Sequence, residues 1–210
     1  MAPRALILTT LIAGLGAGPF PAGETEEAKV LRAAAEVMQR SVEPGSDSIP
    51  AEVLAGAACV GVFPASSRAG LAHDDKRRKG ALSCRAEDGS MGPPAFFTVT
   101  EPRALRRAAS DADLVLVIPS REALRPFLEG RFKAGGDKEA RTAARAPRGP
   151  ASVPDAPILS WRHREGDFEE ASLESSVIEP DAEANRRFYG KPASPREILI
   201  ERSVPVPPSS

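Results

Sequence analysis

The stretch of sequence that decides the fold lies near the C-terminus, where residues 178–190 read IEPDAEANRRFYG. It opens with Pro180-Asp181, which favours a helix start, and it closes with Gly190, a good helix C-cap. Asn185 stands in the polar run between them, followed by the aromatic pair Phe188-Tyr189, which contains the only tyrosine of the chain. The stretch therefore predicts a short helix that ends in an aromatic pair.

Short runs rich in β-forming residues precede this helix. The continuous apolar run 113–118 predicts a central strand, and two runs around Glu165-Gly166-Asp167 predict a hairpin. The remaining strands and the hairpin arms are predicted over 58–63, 80–85, 95–100, 157–162 and 168–173. Strands therefore dominate the middle of the chain.

Further helices are predicted around these strands. Residues 25–42 carry an apolar stripe at helical spacing. The stripe consists of Leu31, Ala34, Ala35, Met38 and Val42. Pro50 suits the first position of a short second helix, and Ser120 can cap a third, which Pro126 should shorten or kink. Ser194-Pro195-Arg196-Glu197 has the pattern of a capping box.

The ends of the chain and one internal segment differ in composition from the rest. Arg4 precedes an apolar run over 5–18, which is too short to span a bilayer and has the length of a signal-peptide core; the alternative is a buried N-terminal helix. We predict a signal peptide over 1–23, one domain over 24–203, and a disordered Pro/Ser-rich tail over 204–210. Residues 131–155 are rich in Gly, Ala, Pro and Arg and predict an exposed basic segment.

Composition excludes some classes of function. The chain has 210 residues, 41% of them hydrophobic, which fits a single globular domain of ordinary size. Its net charge is −1 and its aromatic content is 5%. Neither a positive field nor stacking platforms for bases are therefore available, which argues against nucleic acid as a partner.

The sequence contains no recognised catalytic motif, so we predict no enzyme, no catalytic residue, no cofactor and no metal site. His73 and His163 lie in charged runs without ligand spacing, and we expect both to be solvated loop residues. Cys59 and Cys84 fall in predicted strands without an adjacent base. They can form a disulfide in an exported protein or remain two buried thiols.

Basic clusters are the strongest candidates for a binding site, because groups of basic residues can hold anionic lipid headgroups. The residues assigned to such a site are Lys76, Arg77, Arg78, Lys79, Arg103, Arg106 and Arg107. We expect the first four to lie together in a loop. Residues 165–183 hold eight acidic groups and no Lys or Arg. The alternative is therefore that the basic clusters pair with this acidic segment inside the molecule.

Several fragments, taken in order, resemble the SYLF lipid-binding domain family. The family's opening is matched by IP at 49–50 and VGVFP at 60–64, and its DGSWSAPAF turn by DGS at 88–90 and PPAF at 93–96. Its later hairpin and closing helix are matched by SW at 160–161, GDF at 166–168 and the stretch 178–190. The residues assigned to this family motif are Pro64, Gly89, Pro94, Asp113, Trp161, Phe168, Asn185, Tyr189 and Gly190.

The resemblance implies an α+β fold in a single domain, with a mostly antiparallel, barrel-like sheet and packed helices. In this fold we expect Asn185, Phe188 and Tyr189 to pack near Trp161 and Phe168. The resemblance also implies a non-enzymatic lipid-binding module. We therefore predict an exported, periplasmic or secreted, bacterial-type member that binds anionic lipid or a membrane surface. Charged residues stand where the family has several glycines. The alternative is thus an envelope interaction protein that kept the fold, lost lipid binding and binds a protein partner.

Overall fold

A computed structural model of the chain describes residues 24–43, 48–69, 77–103, 111–130, 132–134, 142–143, 158–164, 167–173 and 175–207. The predicted signal peptide and most of the predicted basic segment lie outside these ranges. So do the predicted site residues Lys76, Arg106 and Arg107, together with His73.

Helices and strands form close to where the sequence predicts them. The helices are α1 (Glu26–Ser41), α2 (Ala51–Ala55), α3 (Ser66–Ala69), α4 (Arg121–Leu128) and α5 (Ala182–Tyr189), and a π-helical segment, Glu197–Glu201, follows. The strands are β1 (Cys59–Phe63), β2 (Arg78–Cys84), β3 (Ala95–Thr100), β4 (Asp113–Ile118), β5 (Phe132–Lys133), β6 (Thr142–Ala143), β7 (Ile158–Arg164), β8 (Asp167–Glu170) and β9 (Val177–Pro180). The predicted strands and the β7–β8 hairpin are confirmed.

The strands form one curled sheet in the order β5-β9-β3-β2-β1-β4-β7-β6, and β8 pairs with the outer side of β7. Every pairing is antiparallel except that between β6 and β7. Strand β4 is a central strand, as its apolar run predicts, because β1 and β7 flank it. The predicted α+β class, a single domain with a mostly antiparallel sheet and packed helices, is confirmed.

Side chains alternate between the two faces of the sheet along each strand, and each face carries a cluster of buried apolar residues. One face, called here the Phe97 face, carries Phe63, Leu82, Phe97 and Leu116 and packs against α4 and the π-helical segment. The other, called the Val115 face, carries apolar residues of β1, β4 and β7 and packs against α1 and α2. Strands buried on both sides explain why β1 and β4 read as continuous apolar runs rather than alternating ones.

Helix α1 buries a different stripe from the one the sequence predicts. Its buried positions are Glu27, Val30, Ala33, Ala34, Val37 and Ser41. Ala35 and Val42 of the predicted stripe are exposed. The two stripes are neighbours on the helix and share Ala34, and the buried one also contains the polar residues Glu27 and Ser41. Tertiary packing therefore determines which stripe is buried. The buried Glu27 side chain accepts a hydrogen bond from Arg187 of α5.

Helix α5 begins and ends as predicted but packs in a different place. Asp181 caps its start by accepting a hydrogen bond from the Ala184 amide, and Gly190 ends it with a φ of 70°, a conformation that favours glycine. Phe188 packs edge-on against Phe96 of β3 at 5.1 Å between ring centroids. The predicted position near Trp161 and Phe168 is wrong, because those residues belong to the Val115-face cluster that packs against α1 and α2.

The two cysteines form a disulfide. Cys59 of β1 and Cys84 of β2 are direct partners in the antiparallel register, and their sulfur atoms are bonded. Both residues are buried on the Phe97 face. Of the two possibilities that the sequence left open, the structure contains the bonded pair.

The C-terminal segment completes the core of the Phe97 face. The predicted capping box forms, since the Glu197 carboxylate accepts from the Ser194 amide at 2.8 Å and the Glu197 amide donates to Ser194 Oγ at 3.3 Å. Val204, placed by the sequence at the start of a disordered tail, is 4% exposed and packs in the core. Within the described residues, no helix is both long enough and apolar enough to cross a membrane.

Candidate functional site

Charged side chains gather at one end of the sheet, called here the arginine end. It is formed by the start of β2, the end of β3, the start of β4 and the end of β7. The register places these together, since Arg78 pairs with Val99 and Asp113 pairs with His163. The charged side chains divide between the two faces of the sheet, because neighbouring residues in a strand point to opposite faces.

On the Phe97 face, two arginines share one carboxylate. Glu101 directly follows β3 and is 6% exposed. Its Oε2 accepts from Nη2 of Arg78 at 3.3 Å, and its Oε1 accepts from Nη2 of Arg162. Arg78 also donates through Nη1 to the carbonyl of Ala112, just before β4. These contacts tie the ends of β2, β3, β4 and β7 together.

Burial is the largest influence on the charge of Arg78 in this cluster. Burial lowers the pKa of the Arg78 guanidinium, Glu101 acts against that lowering, and the neighbouring positive charge of Arg162 adds to it. A buried charge is costly unless it is paired and hydrogen-bonded. Within the described part of the chain, Nη1 of Arg162 is buried without an acceptor.

On the Val115 face, Asp113 collects donors from three other parts of the chain. Its fully buried carboxylate accepts from the Ala65 amide at 2.9 Å and from Nε of Arg68 at 3.0 Å. Nδ1 of His163 lies 2.9 Å from Oδ2 of the same carboxylate. The His163 ring stacks on Phe168 with centroids 4.4 Å apart. Asp113 thereby connects β4 to β7 and to the turn between β1 and α3.

The prediction that His163 is a solvated loop residue is wrong, since His163 is 4% exposed. Strand β7 continues to Arg164, beyond the predicted end at residue 162, so His163 faces the Val115 side together with Trp161. Among the described residues, no group of three or more His, Cys, Asp or Glu side chains could hold a metal ion.

The predicted lipid-headgroup residues do not form one exposed loop. Arg78 and Lys79 belong to β2. Arg78 is 8% exposed and binds Glu101, so it does not present its guanidinium at the surface. Nζ of Lys79 lies 2.5 Å from a carboxylate oxygen of Glu26 in α1, and Lys79 lines a small cavity together with Asp181 of the acidic segment 165–183. The loop prediction is wrong because β2 begins at Arg78, and a buried strand accepts charged residues at its end when partners exist there.

Exposed arginines remain at the arginine end. Arg77 precedes β2, Arg103 follows β3, and Arg164 ends β7; all three are exposed. None of the three has an ion-pair partner within the described ranges. Arg77 and Arg103 are members of the predicted headgroup set, whereas Arg164 is not.

The family-motif residues at the C-terminal helix bind the backbone of β3. The Asn185 side chain, fully buried, accepts from the Phe96 amide at 2.8 Å and donates to the Phe96 carbonyl at 3.1 Å. The Tyr189 hydroxyl donates to the Pro94 carbonyl at 2.7 Å. Asn185 and Tyr189 are four residues apart and therefore lie on one face of α5. These residues replace strand-to-strand hydrogen bonds where β9 no longer pairs with β3.

The remaining family-motif residues lie elsewhere in the fold. Pro64 is buried at the end of β1, next to the Ala65 amide that binds Asp113. Trp161 and Phe168 pack in the Val115-face core. Gly89 lies in the turn after β2, at the end of the sheet opposite the arginine end, with a φ of 85°. The motif therefore marks several supports of the fold rather than one site.

Sequence reasoning missed Arg68, Glu101 and Arg162 as partners in this region. The available signal was the basic run Arg162-His163-Arg164 at the end of a predicted strand. Charges inside a strand that is buried on both faces require partners. The identity of those partners depends on which strand ends meet, and that information is not local.

Comparison with known proteins supports the family resemblance inferred from the sequence. Residues 107–210 match the family described as "Ysc84: Las17-binding protein actin regulator". The chain is 29% identical over 208 residues to "Protein YSC84" of Saccharomyces cerevisiae, covering 91% of this chain and 42% of the relative. It is 27% identical over 205 residues to "LAS seventeen-binding protein 3" of the same organism, covering 90% of this chain and 43% of the relative.

The family that the match names is described as one of binding and regulatory domains rather than as an enzyme family. The chain belongs to the Ysc84, or SYLF, family, which confirms the resemblance inferred from the sequence. It spans less than half the length of the curated relatives that it matches.

Proposed function

We propose that this protein is a non-enzymatic module that binds anionic membrane surfaces through the exposed arginines of the arginine end. The observation that supports the proposal most directly is that Arg77, Arg103 and Arg164 are exposed at one end of the sheet without ion-pair partners among the described residues. Basic residues near an anionic surface each contribute about 1 kcal/mol to binding.

We further propose that the protein is exported, into a periplasm or outside the cell. Two observations support this. The apolar run 5–18 after Arg4 has the length of a signal-peptide core. The disulfide between Cys59 and Cys84 suits an oxidising compartment, because reducing compartments rarely maintain such bonds.

The test of membrane binding is co-sedimentation with vesicles whose anionic lipid content is varied. Replacing Arg77, Arg103 and Arg164 together by Gln removes about 3 kcal/mol at low salt, so the affinity should fall by about two decades. The matched control replaces Arg121, Arg186 and Arg196, which are exposed and lie outside the arginine end. The control loses the same net charge as the test variant. It should nevertheless bind the vesicles much more tightly than the test variant does.

Salt provides a second readout. Binding that depends on exposed charges weakens as the ionic strength rises, because the Debye length shortens to about 8 Å at 0.15 M. Failure of the parent protein to sediment with strongly anionic vesicles at low salt would contradict the membrane proposal.

A protein partner is the second candidate. The names of the yeast relatives favour it, since two of them are called LAS seventeen-binding protein 3. A protein partner would bind in lipid-free solution and would be retained by a column carrying this chain. Binding that persists without lipid and is unaffected by the triple arginine change would favour this candidate over the membrane.

A further inference from the structure

The buried cluster on the Phe97 face contains a donor that nothing in the described structure satisfies. Nη1 of Arg162 is buried and has no hydrogen-bond partner there. Nη2 of the same guanidinium is held by Glu101, so the orientation of the group is fixed on one side. A fixed guanidinium with an unfilled N–H edge is a partial binding site for an oxyanion.

The side chain of Arg162 lies close to the surface, although Nη1 is buried. The side chain as a whole is 18% exposed, so the guanidinium lies just beneath the surface at the arginine end. Nη1 itself is buried, so a ligand reaches it only when the side chains that cover it move aside. The Arg78 guanidinium, bound to the same carboxylate, adds positive charge beside it.

One acidic side chain competes for this edge. Glu169 of β8 is the register partner of Arg162 across the hairpin, and partners in an antiparallel pair are close enough for long side chains to meet. In the structure Glu169 is exposed, and no ion pair joins it to Arg162 among the described contacts. It is therefore the internal alternative that an experiment has to separate from a bound anion.

We propose that Arg162, held by Glu101, binds a single phosphate group at the arginine end, either as free phosphate or as the phosphomonoester of a lipid headgroup. The lipid form of this inference rests on the membrane-binding function proposed above. A guanidinium fork suits a tetrahedral oxyanion, and one N–H edge is already occupied by a carboxylate. A phosphate would supply the acceptor that Nη1 lacks.

The direct test observes the guanidinium of Arg162 in the parent protein. The nitrogen resonances of Arg162, assigned through Arg162→Lys, are followed by NMR during titration with sodium phosphate at constant ionic strength. We expect a saturable shift with phosphate and a smaller shift with acetate. No shift, or an equal shift with acetate, would overturn the assignment to phosphate.

Variants separate the site from its alternative. Arg162→Gln should raise the Kd for phosphate about tenfold or more, because it removes a charge-assisted pair. The Kd of Arg162→Lys should lie between those of the parent and Arg162→Gln, since lysine keeps the positive charge but lacks the forked guanidinium. Lys133→Gln, at an exposed position of β5, should leave the Kd within about twofold. The opposite outcome has two parts. Without phosphate, the Arg162 resonances differ between Glu169→Gln and the parent, and phosphate has no effect on them in the parent. That result would show that Glu169 occupies the edge, and it would overturn the proposal.

Binding to vesicles distinguishes a lipid phosphate from free phosphate. It also separates failure of the phosphate site from failure of the membrane-binding proposal. Phosphatidic acid, a phosphomonoester, is compared with phosphatidylglycerol, a phosphodiester, at matched surface potential. A preference for phosphatidic acid that Arg162→Gln removes identifies the lipid, whereas saturation by phosphate without that preference identifies the free ion. If Arg162→Gln changes neither readout while the triple arginine change still abolishes sedimentation, the phosphate site fails and the membrane function stands.

Discussion

Nδ1 of His163 lies 2.9 Å from Oδ2 of Asp113, although the two residues are 50 positions apart in sequence. They face each other across β4 and β7 as register partners. Arg68 and the Ala65 amide bind the same carboxylate, so one buried charge joins three parts of the chain. Asp113 is one of the residues assigned to the family motif, and its contacts give it a structural role in holding these parts of the chain together.

Asp113→Asn should destabilise the protein strongly. The amide keeps the shape of the side chain but removes the charge that Arg68 and His163 share, and breaking a buried pair costs about 3–5 kcal/mol. Because Arg68 is 26% exposed, we expect a loss nearer 3 kcal/mol in urea unfolding. Asp111→Asn, two residues earlier at an exposed position, is the control and should change stability by less than about 0.5 kcal/mol.

Asn185→Ala should remove a surrogate for strand pairing. The substitution leaves the Phe96 amide buried without its acceptor, at a cost of about 1–3 kcal/mol. The Phe96 carbonyl keeps the Asp181 amide as donor, so the loss should stay in that range. Arg186→Ala, at an exposed position of the same helix, should have little effect. Equal melting temperatures for the Asn185 variant and the parent would show that this contact contributes nothing.

Gly80→Ala should be far more damaging than its size suggests. A Cβ at Gly80 would lie 2.4 Å from the Phe63 ring and from the Val62 carbonyl oxygen. Relieving such overpacking in a buried strand costs about 1–3 kcal/mol or more. Gly89→Ala meets no atom within 4 Å and should cost only the strain of its positive φ, about 1–2 kcal/mol. Chemical unfolding of both variants side by side checks the order.

Tyr189 should make stability depend on pH in the alkaline range. Burial raises the pKa of its hydroxyl, whereas the unfolded value is about 10. The stability that this shift contributes is therefore complete below about pH 10 and is lost as the pH rises towards the folded-state pKa. Tyr189→Phe should show a shallower loss above pH 10 than the parent. Because Tyr189 is the only tyrosine, absorbance at about 295 nm reports its ionisation, and ionisation near pH 10 in the folded protein would contradict its burial.

Removing the disulfide should lower stability without changing the sheet. The bond closes a loop with a sequence separation of 25, and loops of this size are stabilised by about 3 kcal/mol. The double variant Cys59→Ala, Cys84→Ala should therefore unfold at a lower urea concentration. Its far-ultraviolet circular dichroism should match that of the parent. Equal unfolding midpoints for the oxidised and reduced parent would rule out this contribution.

Local sequence patterns predicted individual elements well. The apolar run 113–118 is the central strand β4, and the hairpin forms around the predicted turn. Gly190 ends α5 in a left-handed conformation, and Ser194 with Glu197 forms the predicted box. These features depend on residues that are at most a few positions apart, so local sequence patterns are sufficient to predict them.

The same patterns failed where several distant segments meet. The buried stripe of α1 includes Glu27, which hydrophobicity alone would not place inside, and its partner Arg187 lies 160 residues away in sequence. Val204 begins the Pro/Ser-rich tail, but it is buried in the same cluster as residues of the sheet and of the π-helical segment. Helix α5 could pack on several strands, and the Asn185 contact with Phe96 selects β3.

The sequence by itself therefore determined the family, the α+β class and most of the strands, because these rest on ordered local motifs and on alternation within each segment. The tertiary structure alone decided which charges meet. Glu101 and Arg162 are 61 residues apart, and Arg78 and Glu101 are 23 apart. Their contacts arise from the order and register of strands in the curled sheet. Pairing between strands is a long-range property, and no spacing along the chain encodes it locally.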